Sequence, residues 1–483
     1  MLFNSIGYLF FLPITIMLYF AAPSRWRWAV LLAASYFFYL LWKAEFVLVL
    51  MGATLVSYLA ALQMGKLPQK KQRFKYLVAS ILINLGMLFV FKYLGFFSEI
   101  FNYVAGFTGS GNMIPSFNIL LPIGISFYTF QTIGYTIDVY RGVIKPEKHV
   151  GIYALFVSFF PLVLAGPIER GRKLLPQFYM HHAFDPQLFT SGLRLILWGM
   201  FKKLVIADRL SIVVQAVYSE PGYFHGFEII IAIIMKMMQV YADFSGYTDI
   251  AVGSARLLGF KLSPNFNRPF SAQSIAAFWS RWHISLTSWL RDYVYFSMPF
   301  KYHGKVVAWR LNLNLLITFL LVGFWHGPYW NFIIFGLLHG IYMVLANIFK
   351  PAMISFNRIS RLDRSPHLLQ WLNILATFLL LCSTGFFFGP HSLDDSFLMI
   401  RNLTDFSDSG TAILELLKNN DFILGVVMIF FMLWFEYLVY AGSFASKFMA
   451  QKISVRYLAY LTMLFFMLVF GVFANQKFFY FQF

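Results

Sequence analysis

Charge is scarce in this sequence. Asp, Glu, Lys and Arg together make up 12% of its 483 residues, where a soluble domain carries about 25%. Acids are scarcer than bases, 20 Asp and Glu against 38 Lys and Arg, for a net charge of +18. In a soluble chain such a balance would point to nucleic acid. Here the bias of membrane proteins towards cationic cytoplasmic loops accounts for most of it. The remainder would attract anionic lipid or a phosphate-bearing donor, and no nucleic-acid partner is expected. Cysteine is almost missing as well. The single Cys382 excludes an intrachain disulfide and a cysteine-built metal site. No H-E-x-x-H zinc motif, P-loop or paired-carboxylate arrangement occurs, and Gly124-Ile125-Ser126 lacks the closing glycine of a nucleophile elbow. No metal and no permanently bound cofactor are expected.

What is abundant is apolar surface: 59% of residues are hydrophobic and mean hydropathy is +0.68. Apolar runs of spanning length recur from end to end, more than a water-soluble core could hide. Because the runs are continuous rather than alternating, they read as helices, which satisfy their own backbone in hydrocarbon. At about 20 residues per span there is room for roughly ten to thirteen. The expected fold is therefore all-α and polytopic, a single integral-membrane domain over 1–483. The first three spans are expected near 1–22, 28–42 and 46–63, and the last three near 368–388, 420–440 and 455–475. Met1 to Ala22 has no basic residue ahead of it, so it reads as a retained span rather than a cleaved signal. Arg25 and Arg27 would share a side with the densest basic loop, Lys66 to Lys75. That side should be cytoplasmic, which places the N-terminus outside.

The middle third departs from this pattern. Prolines and charges interrupt Pro161 to Pro176 and Gly259 to Pro269. Irregular backbone at membrane depth is tolerated only against protein or a water-filled cavity, so this third is the expected working part, with short or re-entrant helices. An uncharged loop from Gly106 to Asn118 is expected outside, and Pro390 to Asn420 reads as a longer polar loop. No internal repeat is visible.

Three stretches carry chemistry. Read as one helix, Phe278 to Tyr295 (FWSRWHISLTSWLRDYVY) sorts into an aromatic stripe of Trp279, Trp282, Leu286, Trp289 and Tyr293 and a polar stripe of Arg281, Ser285, Ser288 and Asp292. An interfacial amphipathic helix explains both stripes. His283 lies off the polar face, as a satisfied core histidine or a functional one would. In the second stretch His326 ends an apolar span, and Gly327-Pro328 stops the helix after it. An ionisable residue in such a span is a functional candidate because burying it is costly; the alternative is a helix-end histidine bonded to backbone. His339 on the next helix reads as a packing or supporting residue, with packing favoured. An imidazole suits general-base work near neutral pH. In the third stretch, YADFSGYTD, Asp243 and Asp249 could line a polar tunnel or pair with Arg256 or Arg268.

The motifs YADFSGYTDIAVG, NFNRPF, FWSRWHISLTSWLRDYVY and FWHGPYWNFIIFGLLHG occur in this order. Together they resemble the membrane-bound O-acyltransferase family, in its bacterial polysaccharide-acetylating branch, most strongly over residues 120–345. The resemblance implies many helices around a central funnel or tunnel with the catalytic histidine at its throat. His326 matches the family's invariant histidine and His283 the second one. It further implies Trp279, Trp282 and Trp325 as tunnel wall, and Arg268, Arg281, Asn267, Asp292 and Asp243 as candidate substrate contacts. Pro328 stands where relatives often carry a small residue, and Ser280 where they often carry a second basic one.

The function so implied is transfer of an acetyl group from a cytoplasmic thioester, acetyl-CoA or an acyl carrier, to an extracytoplasmic acceptor. It would take place in a bacterial inner membrane. Alginate or a similar exopolysaccharide would be acetylated, with an exported SGNH-type acetyltransferase as the expected partner. Two alternatives share the composition: D-alanyl transfer in teichoic acid modification, and a polysaccharide transporter.

Overall fold

A computed structural model describes residues 1–107, 114, 115, 117, 119–302, 304–390, 392–407, 415, 418–440, 442, 444–473 and 478. Most of the loop expected outside over 106–118, part of the polar stretch 390–420 and all but Phe478 of the C-terminal FFYFQF fall beyond the described residues. The described chain is helical except for turns, irregular connections and one antiparallel strand pair, Lys301–Tyr302 with Lys305–Val306. Seven described helices are long and apolar enough to cross a membrane, and two shorter apolar segments, Ile6–Ala21 and Val150–Val163, accompany them. The spans expected at each end coincide with the helices Ile6–Ala21, Arg27–Leu40, Glu45–Lys66, Pro366–Thr384, Asn420–Tyr440 and Ile453–Phe470. Their outward apolar side chains, such as Ile6 at 75% exposure and Leu468 at 74%, would be a liability in water and are ordinary in lipid. The chain is a multi-pass membrane protein.

The chain divides into two compact units. The first comprises Met1–Ile196, Thr248–Pro264 and Ser288–Tyr293. In it Glu45–Lys66 packs against Lys70–Lys92 and Ile125–Arg141, and buried side chains bond between helices. Tyr153 donates to Ser57 Oγ at 2.7 Å and Gln131 Nε2 to the Phe156 carbonyl at 2.7 Å. The irregular stretch after Val163 is fully buried as far as Arg170, with Glu169 accepting from the backbone N–H and hydroxyl of Ser263. Those bonds answer a buried carboxylate, and the surrounding protein is what shelters non-helical backbone there.

The second unit comprises Leu197–Tyr247, Asn265–Thr287 and Val294–Phe483 and holds five of the seven long apolar helices. Its central hairpin, Ala308–His326 and Trp330–Ile359, is closed by two glycines. A Cβ on Gly323 would lie 2.2 Å from the Phe332 carbonyl oxygen, and one on Gly336 2.3 Å from that of Phe319. With little hydrophobic drive between helices in lipid, small residues that let backbones touch supply the association. This contact fixes where His326 and His339 stand relative to each other.

Candidate active site

Helix Ala308–His326 ends on His326 as its sequence predicts, and Gly327 follows in extended backbone. His326 is 4% exposed. Its ring lies 5.1 Å from Phe388, 5.4 Å from Phe335 and 4.9 Å from Trp325, centroid to centroid. It lines a cavity of about 30 Å³ together with Trp279, Trp282, Phe335, His339, Thr384 and other, apolar, side chains. That volume holds one or two water molecules, so any larger occupant requires the aromatic walls to part.

His283 is placed differently from its sequence reading. Phe278 to Tyr295 is not one helix: a short helix, Ile275–Trp279, is capped by Ser274, and a second, Ile284–Tyr293, follows a break. His283 sits at that break with φ +41°, a left-handed conformation that is uncommon for a residue with a side chain. The cause is tertiary. Segment 265–267 runs alongside, its Asn267 N–H donating to the Arg281 carbonyl and its Asn265 carbonyl accepting from the Ile284 N–H, both at 2.9 Å. Backbone groups that would have bonded along a helix are satisfied across the gap instead.

The break also splits the aromatic stripe. Trp279 and Trp282 belong to the second unit and its cavity. In the first unit Trp289 stacks on Phe130 at 4.4 Å and Tyr293 donates to Asp138 at 2.8 Å. All three tryptophans are buried, Trp279 at 5%, Trp282 at 8% and Trp289 at 5% exposure, which overturns the interfacial-helix alternative.

The His283 imidazole is held by a residue the sequence reading missed. Asn265 Oδ1 accepts from the Ser285 backbone N–H at 3.2 Å and the Ser285 hydroxyl at 2.8 Å, and lies 3.0 Å from His283 Nδ1. Because a backbone N–H can only donate, this amide atom is the oxygen, and His283 Nδ1 must carry the hydrogen. In the neutral ring the lone pair is then on Nε2. The ring packs edge-on against Phe244 at 4.7 Å and lies 5.7 Å from Trp325. Trp325 therefore touches both histidines, while His283 is not among the described residues lining the His326 cavity. Replacing Asn265 by Leu strips a buried acceptor from two side chains and a backbone N–H. At about 1–3 kcal/mol per stranded group, a lowered thermal midpoint in detergent and reduced transfer are the expected results. Midpoint and rate at parental values would refute this account.

The other candidates scatter. Arg281 donates to Ser271 Oγ at 2.7 Å, and the Arg268 guanidinium lies 5.2 Å over the Tyr437 ring. Arg268 is itself in left-handed backbone, φ +48°, so Asn267 and Arg268 turn the chain beside the His283 break. Asp292 lies in the first unit, ion-paired with Arg170 at 3.3 Å and Arg291 at 3.0 Å. Asp243, for which Arg256 and Arg268 were the expected partners, is ion-paired to a lysine. Its partner is Lys203 at 2.7 Å, which also holds Asp208 at 2.8 Å, and all three side chains are at most 4% exposed. The signal passed over was Lys202-Lys203 inside the apolar run WGMFKKLVIA, which forms a π-helical turn, Lys202–Ala207. His339, packed against Trp279, Phe319 and Phe335, also lines the His326 cavity. Among the described residues no cluster of three or more His, Cys, Asp or Glu could hold a metal.

A cavity flanked by histidines inside a helical membrane protein has the parts of an acid–base catalyst. The family model for membrane-bound O-acyltransferases matches residues 151–389. A probable alginate O-acetylase of Azotobacter vinelandii is 35% identical over 411 residues, 84% of this chain and 79% of the relative. A peptidoglycan O-acetyltransferase of Helicobacter pylori is 30% identical over 437 residues, 83% of this chain and 80% of the relative. A teichoic acid D-alanyltransferase of Bacillus subtilis is 31% identical over 247 residues, 49% of this chain and 61% of the relative. The matched stretch contains His283, His326 and His339, and the chain belongs to the membrane-bound O-acyltransferase family.

Proposed function

We propose that this acyltransferase moves an acetyl group from a cytoplasmic thioester to a hydroxyl on an extracytoplasmic polysaccharide or on an exported acetyltransferase partner, with His326 as general base. The observation that carries the reading is His326 at a helix end, lining a cavity with Trp279 and Trp282. His326 takes the proton from the acceptor hydroxyl as oxygen attacks the thioester carbon. The tetrahedral intermediate collapses with loss of the thiolate, which recovers that proton from the imidazolium. Such assistance is worth about 10²–10⁴-fold in rate. His283 supports the base: its ring backs Trp325, which in turn packs on His326. With its lone pair on Nε2 it can accept from a hydroxyl but cannot polarise a carbonyl.

Family membership sets the transporter alternative aside. Acetyl is favoured over D-alanyl because the two acetylating relatives match over four-fifths of this chain and the D-alanyl relative about half. The basic loop Lys66 to Lys75 supports a cytoplasmic side there, an inner-membrane location and an external N-terminus. The deciding experiment supplies membranes with labelled acetyl-CoA, labelled acetyl carrier protein or labelled D-alanyl carrier protein. Acetyl label passing to polysaccharide or to a co-expressed exported acetyltransferase is expected; label from the D-alanyl donor alone would overturn the reading.

A further inference from the structure

We propose that His339 is a further catalytic residue, whose Nε2–H donates to the acyl donor's carbonyl oxygen as the oxyanion forms. The proposal rests on the general-base reading of His326 and adds the group that reading lacks. Attack on a thioester places negative charge on the carbonyl oxygen, and a base alone does nothing for that charge. A preorganised donor aimed at it is commonly the larger contribution.

His339 lines the same cavity as His326 and is 2% exposed. Phe335 touches both rings, 5.4 Å from His326 and 4.7 Å from His339. The two imidazoles stand on the two arms of the hairpin whose backbones meet at Gly323 and Gly336, so their spacing is set by the closest-packed part of the unit. A residue needed only for packing amid Trp279, Phe319 and Phe335 would be served by an apolar side chain, without the cost of a buried imidazole.

The hydrogen bonds decide which nitrogen carries the proton. Trp279 Nε1 approaches His339 Nδ1 at 3.3 Å, and an indole nitrogen is a donor only. His339 Nδ1 is therefore the acceptor, and in the neutral ring the hydrogen sits on Nε2. His283 has the opposite arrangement, with Nδ1–H directed to Asn265. Two neutral histidines of one unit are thus held in opposite tautomers, one presenting a lone pair and the other a donor. Two other polar groups on the cavity wall are already committed. Trp279 donates to His339, and Thr384 donates its hydroxyl to the Leu381 carbonyl at 2.7 Å.

In the proposed step the new C–O bond forms as His326 takes the hydroxyl proton. His339 keeps its proton and donates a hydrogen bond that strengthens as the carbonyl oxygen becomes anionic. The C–S bond then breaks, and the thiolate recovers the proton from His326. No oxidant, reductant or further reactant is required.

The test compares His339→Phe and His339→Gln with the parent in membranes supplied with labelled acetyl thioester. His339→Met stands in for the apolar variant if the phenylalanine protein does not accumulate. The apolar variant is expected to lose about 10²–10³-fold in kcat, with donor KM near the parental value. His339→Gln keeps an N–H donor and should recover part of the loss. Parental kcat in the apolar variant would overturn the proposal. So would equal loss in both variants accompanied by a lowered thermal midpoint, the mark of a packing role. If the parent transfers no acetyl from any thioester, the functional reading itself fails, independently of the His339 variants.

Discussion

Replacing His326 by alanine abolishes acyl transfer, to within the residual rate that binding alone provides, while the protein still accumulates in the membrane. The expected loss is about 10²–10⁴-fold per mole of enzyme, measured with labelled acetyl donor and normalised to protein detected in the same membranes. The prediction follows from position. His326 is the last residue of its helix and lines the cavity, so truncating it removes the base without interrupting a hydrogen-bond ladder. His326→Gln makes a sharper control. It fills most of the volume beside Phe335 and Phe388 and cannot take up a proton, so it should be as inactive as alanine and more stable. Unchanged transfer in either variant would remove His326 from the mechanism.

The second large effect concerns stability. Lys203→Met leaves Asp208 and Asp243 buried without the ammonium that now lies 2.8 and 2.7 Å from them. Taking one partner from a buried ion pair costs about 3–5 kcal/mol, because the remaining charge is stranded in a medium that cannot solvate it. A sharply reduced yield and a lowered midpoint in detergent are expected. The triple variant Lys203→Met, Asp208→Asn, Asp243→Asn removes the stranded charges with little change of volume, and should regain much of the loss. If the single variant matches the parent, the cluster carries no stability. If it is stable and yet inactive, Asp243 belongs with the substrate contacts, as its motif had suggested.

The two histidines of the motif pair were legible to different degrees. His326 could be read from its own neighbourhood: an apolar run ahead, Gly327-Pro328 behind, and a cost of burial that calls for a reason. His283 could not. Every residue from Phe278 to Tyr293 tolerates a helix, and periodicity assigned each a face. The chain breaks at His283 because residues 265–267 offer its neighbours better backbone partners. Those bonds join positions fourteen (267 and 281) and nineteen (265 and 284) residues apart, beyond any helical window. The place of His339 on the cavity wall was hidden for a related reason. Its surroundings in sequence are those of any packed span, and its place on the cavity wall depends on a glycine contact with another helix.

Lipid as the solvent, the helical backbone and the ends of most spans follow from composition and local order. Each depends on transfer from water and on hydrogen bonds made within about one turn of the chain, quantities that neighbouring residues settle among themselves. Which cation answers Asp243, which nitrogen of His283 or His339 holds its proton, and which histidine shares a wall with His326 were decided only when distant segments met. A buried polar group takes whatever partner the packing brings within about 3 Å, and separation along the chain does not reveal which partner that will be.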